Sequence, residues 1–137
     1  MEVKFPEPVG VELIDYEKKI ENKKFNFREL EELVNGFEKD LDNIYEKLDD
    51  KITIVDYRLI FQRADSSEII EFMKGGFDLS VKANREYVLS DFKERYKETF
   101  ESLLEKTRKP SYPLNIYISV LGFGNKITHE IEAKDPV

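Results

Sequence analysis

The chain predicts an α+β fold: an antiparallel sheet of about four strands with two amphipathic helices packed on one face. Two long segments repeat their apolar residues at helical spacing, while several shorter segments alternate apolar with polar residues. Strand-rich segments and long helices are not strictly interleaved, which disfavours a parallel α/β sheet. The expected order is arm, helix, strands, helix, hairpin. Its 137 residues suit one domain, with an N-terminal arm at 1–24 and a single α+β unit at 25–137.

The arm mixes apolar pairs with "EKKIENKK". It is either an edge strand around Val9–Ile14 or loosely ordered. The first helix is the clearest element. Leu30, Leu33, Val34, Phe37, Leu41, Ile44, Tyr45 and Leu48 recur at steps of three and four and line one face. Asn26 and Glu29 have the spacing of a capping box, and Phe25 and Leu30 that of a hydrophobic staple. Gly36 is unfavourable in a helix interior and is expected to mark close packing. Asp49-Asp50 oppose the helix dipole and suggest a stop there.

"KITIVDYRLIFQR" reads as a strand with Val55, Tyr57, Leu59 and Phe61 on one face and Asp56, Arg58 and Gln62 on the other. "ADSS" is a turn. Phe77, Leu79 and Val81 alternate as a second strand. "SEIIEFMK" before Gly75-Gly76 is either a strand folded back through a Gly-Gly hairpin, which is favoured, or a short helix capped by Asp65 and ended by Gly75. In "YVLSDFKERYKETFESLLEKTRK", Leu89, Phe92, Tyr96, Phe100 and Leu103 form the stripe of the second helix. Lys106, Arg108 and Lys109 suit its C-terminal end, and Pro110 stops it. "LNIYISVL" and "KITHEIEA" alternate, and "GFGN" is expected to join them as a hairpin.

Composition narrows the function. The chain has no cysteine, which removes thiolate catalysis, thiolate metal sites and disulfides. No apolar run approaches the roughly 20 residues of a membrane span, and "MEVKFPEP" lacks the apolar region of a signal peptide. A soluble cytoplasmic protein is expected, without membrane partners.

The recognisable motifs are weak. Gly122-Phe123-Gly124 echoes the base-stacking motif of RRM domains, which continues with Phe-Val-x-Phe/Tyr on the same strand. Here Asn125-Lys126-Ile127-Thr128 follows, and the expected element order also differs from the strand, helix, two strands, helix, strand of an RRM. Direct nucleic-acid binding is therefore not favoured, and Phe123 is expected at a turn tip as a loop contact. Gly75-Gly76 leads into a strand rather than the helix that a phosphate loop requires. His129 is the sole histidine, and no spacing ties a nucleophile to a base. Asp40/Asp42 and Asp49/Asp50 lack the pattern of a calcium loop. No catalytic, cofactor or metal residue is assigned, and the chain reads as a non-enzyme.

The net charge of −7 is concentrated. Residues 27–50 carry nine acids against three bases, a density along a helix that approaches the one phosphate per about 3.4 Å of a nucleic-acid strand. Glu31, Glu32, Glu38, Asp42, Glu46 and Asp49 form the expected partner-binding face. It suits a small inhibitor or adaptor docking on a protein with a basic surface, as inhibitors of nucleic-acid-processing or defence proteins from phage or mobile elements do, or as immunity proteins do with toxins. The alternatives are an assembly subunit that homo-oligomerises through a sheet edge or through Tyr112, Tyr117 and Phe123, a nucleic-acid binder using Arg85, Lys93, Lys97, Arg108 and Lys109, and a small enzyme with an unrecognised site.

Overall fold

A computed structural model describes residues 10–48 and 51–125. In chain order these form β1 (Gly10–Lys23), α1 (Phe27–Glu46), β2 (Ile54–Arg63), β3 (Ile69–Asp78), α2 (Lys82–Lys106) and β4 (Leu114–Asn125). The strands make one sheet in the order β1-β4-β2-β3, antiparallel at every pairing. The expected α+β class holds, with both helices on the same face.

α1 begins as its sequence dictates. The Asn26 side chain accepts from the Glu29 backbone N–H at 2.8 Å, while the Glu29 carboxylate accepts from the Asn26 N–H at 3.1 Å. Two otherwise unpaired donors of the first turn are thereby satisfied. Leu30, Val34, Phe37, Leu41 and Ile44 are buried against the sheet. The helix ends at Glu46 with Lys47 as its cap, and Asp49 and Asp50 lie outside the described residues. Gly36 marks no close contact. It is exposed, and a Cβ there would meet nothing within 4 Å.

α2 starts at Lys82, five residues before Tyr87, where the helical pattern of the sequence begins. Phe92, Tyr96 and Phe100 stand one turn apart and lock it to its neighbours. Phe92 lies 5.1 Å from the rings of both Tyr57 and Phe77, and Phe100 lies 6.1 Å from Phe61 and 6.4 Å from Phe37. Separations of this size are favourable for aromatic pairs.

Three strand expectations need correction. The arm is an edge strand far longer than Val9–Ile14, paired with β4 from Gly10 to Lys23 with irregularities after Glu12 and Ile20. Ile14, Tyr16 and Ile20 supply its apolar, helix-facing side. The turn over "ADSS" joins β2 to β3, but β3 then runs straight through Gly75-Gly76 without a hairpin. Among the described residues, no glycine has positive φ. The requirement at Gly75 is space, because a Cβ there would lie 2.7 Å from the Tyr57 hydroxyl.

Likewise Gly122-Phe123-Gly124 is no turn. It continues β4, with Phe123 opposite Ile54 on β2 and Glu12 on β1. Gly122 sits beneath Ile14, whose Cβ would be 3.1 Å from an added methyl, so glycine serves close packing here too. The return strand expected at 126–133, with His129, lies outside the described residues. The resulting order is strand, helix, two strands, helix, strand, so the expected difference from the element order of an RRM does not hold.

Candidate interaction surface

Alternation sorts every strand residue onto one of two faces. The helix-facing side holds Val55, Tyr57, Leu59 and Phe61 of β2 and Leu114, Ile116, Ile118 and Val120 of β4, all at most 5% exposed. No described element covers the other side.

The pairing register builds that open side row by row. Phe72, Ile60, Tyr117 and Lys19 stand abreast across β3, β2, β4 and β1. The next row is Lys74, Arg58, Ser119 and Glu17, followed by Gly76, Asp56, Leu121 and Asp15. Ile54 and Phe123 close one end between Asp78 and Glu12. A shallow groove of about 820 Å³ crosses the middle rows. Phe72 is 58% exposed, Ile69 53% and Ile54 44%, while Ile60, Tyr117, Leu121 and Phe123 are half-buried.

Water-facing positions of an antiparallel sheet are ordinarily polar. Three of the five outward positions between Asn115 and Phe123 on β4 are instead apolar, as are two of the five between Ile54 and Gln62 on β2. The signal was present in the sequence as runs that break alternation: Leu59-Ile60-Phe61, Phe72-Met73 and Ile116-Tyr117-Ile118. Strands covered on both faces read in this way.

The expected acidic face is divided by the fold. Glu38 and Asp42 turn toward α2, where the Lys97 ammonium donates to Glu38 at 2.8 Å and to Asp42 at 3.5 Å. Tyr96 donates its hydroxyl to Asp42 at 2.5 Å, and Tyr16 donates to Asp40 at 2.6 Å. Partial burial pushes the Asp42 carboxyl up, but the Tyr96 hydroxyl and the Lys97 charge outweigh it and hold Asp42 below the ordinary aspartate value. Burial and the Asp42 acceptor together raise the Tyr96 hydroxyl well above its usual value.

Glu31, Glu32 and Glu46 remain exposed, with Glu32 3.4 Å from Arg28, and Asp49 is outside the described residues. Arg28, Lys39 and Lys47 share the exposed ridge with them.

Cations of α2 are also engaged. Arg85 donates to the Leu48 carbonyl at 2.7 Å, and Lys93 lies 4.9 Å from the Tyr45 ring centre.

Among the described residues, no cluster of His, Asp and Glu has the arrangement of a metal site, and no helix is long and apolar enough to cross a membrane. No protein-family model, curated protein or solved structure matches the chain.

Proposed function

We propose that the chain is a small non-enzymatic protein-binding module that works through the uncovered face of its sheet. The observation that supports this reading is the apolar content of that face: Phe72, Ile54 and Ile69 are exposed beside Ile60, Tyr117, Leu121 and Phe123. Apolar side chains gathered on one surface mark binding sites rather than ordinary solvated surface. Phe123, expected at a turn tip, belongs to this surface as a strand residue. Nucleic acid fits it poorly. The cations Lys19, Arg58 and Lys74 are outnumbered by Glu12, Asp15, Glu17, Asp56 and Asp78, so a phosphate backbone meets net repulsion.

A photo-cross-linking side chain placed at Phe72, compared with one at the exposed Asn35 of α1, tests this reading in a lysate of the native cells. Discrete protein adducts from position 72 but not from position 35 are expected. Equal labelling from both positions, or none from position 72, overturns the sheet-face reading.

A second reading keeps the acidic helix as the docking element of an inhibitor or adaptor with a basic partner. The exposure of Glu31, Glu32 and Glu46 favours it. Glu31→Lys with Glu46→Lys then removes salt-sensitive binding without touching the contacts to α2. Binding that survives this pair of changes excludes the acidic-helix reading.

A further inference from the structure

The uncovered face carries its charges unevenly. In the central row, Lys74 and Arg58 occupy β3 and β2, Ser119 occupies β4, and Glu17 occupies β1. The neighbouring row adds Asp15 on β1 and Asp56 on β2. Lys19, the cation on the β1 side, is already paired with Glu21 at 2.9 Å. Within the central row the β2–β3 half is therefore basic and the β1 half acidic, while the flanking rows carry acids on both halves, Asp56 and Asp78 on one and Asp15 and Glu12 on the other.

A face whose central row has opposite charge on its two halves complements itself there when a two-fold axis runs along the strands between β2 and β4. Such an axis lays β3 of one copy over β1 of the other. Lys74 then meets Glu17 of the second copy within the same row, and Ile60 meets Tyr117. Every contact occurs twice, as an isologous interface requires.

Sheets that pack face to face cross at about 30°, which keeps the central rows in register and swings the corners apart. The Asp78 and Glu12 corners, which would otherwise repel, are thereby separated.

The area is sufficient. Four strands spaced about 4.8 Å apart, with about ten residues each rising about 3.4 Å, project to roughly 650 Å². Two such faces cover up to about 1,300 Å² together, at the low end of the roughly 1,200–2,000 Å² of specific interfaces.

From this charge pattern and area we infer that the occupant of the open sheet face is a second copy of this chain, giving a symmetric dimer layered helix, sheet, sheet, helix. The inference rests on the sheet-face reading and names its partner.

Sedimentation velocity of the purified chain across a concentration series tests it. A reversible dimer is expected. Ile60→Glu weakens it by about a hundredfold or more, since it places a charge in the apolar contact with Tyr117 of the second copy. Lys74→Glu alone weakens it by about tenfold, and Lys74→Glu with Glu17→Lys restores it, because the swap recreates the same pair in reverse. Circular dichroism of each variant at low concentration confirms that the monomer is folded, and Ile60, Lys74 and Glu17 all lie on the uncovered side of the sheet, away from the core.

A chain that stays monomeric at every accessible concentration overturns the self-docking, as does a dimer indifferent to Ile60→Glu or a swap that fails to rescue. Self-docking alone fails if adducts from position 72 then join the chain to a different protein. The sheet-face reading fails as well if position 72 gives no adduct.

Discussion

Val55, Tyr57, Leu59 and Phe61 leave β2 toward the helices and are almost wholly buried, whereas Asp56, Arg58, Ile60 and Gln62 leave the same strand toward solvent. The covered face is consistent at every level. Its residues are apolar, its partners on α1 and α2 are amphipathic, and rings from four elements interlock. The uncovered face mixes carboxylates, cations and large apolar groups within single rows. The covered face follows one rule because burial without hydrogen bonding is costly for every polar atom. Solvent imposes no such rule, so composition there is free to reflect binding. Apolar groups kept on the open side add little to the fold of the single chain and become useful only when something covers them.

Substitution of one large side chain on each face gives the widest contrast. Phe100→Ala removes a ring at 1% exposure that touches Phe37, Phe61 and Tyr96, and is expected to cost about 3–5 kcal/mol in urea unfolding. Phe72→Ser in dilute solution is expected to cost under about 0.5 kcal/mol. Similar losses at the two positions would erase the distinction between the faces.

Gly75→Ala sharpens the boundary between the two layers. The added methyl falls 2.7 Å from the hydroxyl of Tyr57, whose ring is held between Phe92 and Phe77 and whose oxygen accepts from Arg95 at 2.7 Å. Tyr57 cannot swing aside without breaking those contacts, so a loss of about 1–3 kcal/mol is expected. An unchanged unfolding midpoint would show that the ring has room to move.

The smallest effect concerns the clasp between α1 and α2. Asp42 is held below its ordinary value of 3.8, so its contribution to stability is present above that value and is lost as pH falls through the lower folded value. Asp42→Asn keeps an acceptor for Tyr96 but loses the charge facing Lys97. Its cost at neutral pH is expected to be about 1 kcal/mol or less, because the pair is partly exposed. Thermal melts of the two proteins are expected to converge as pH falls below that folded value. A gap that persists there would assign the effect to packing instead of charge.

α1 was legible nearly to the residue, because its cap, staple and apolar stripe are all local signals within one helix. β2 was legible for the same reason, as its alternation needs no partner to be seen. The glycine pairs were misread. Gly75-Gly76 and Gly122-Phe123-Gly124 have turn composition, yet they lie in extended strands where a neighbouring side chain needs the space of a missing Cβ. The identity of that neighbour is set by a strand 18 residues away for Gly75 and more than 100 residues away for Gly122, and no local pattern records it. The acidic helix is only partly legible for a related reason. Its charges were counted correctly, but the count could not show that Glu38, Asp40 and Asp42 would turn toward Lys97, Tyr16 and Tyr96.

Local periodicity and capping thus determined the helices, the inward faces of the strands and the α+β class. They do so because each depends on residues within a few positions of one another. Strand order, register, the fate of each carboxylate and the existence of an uncovered apolar face were decided only by tertiary structure. Those properties depend on which distant segments meet, and the energy of a side chain is fixed by what it touches rather than by where it stands in the chain.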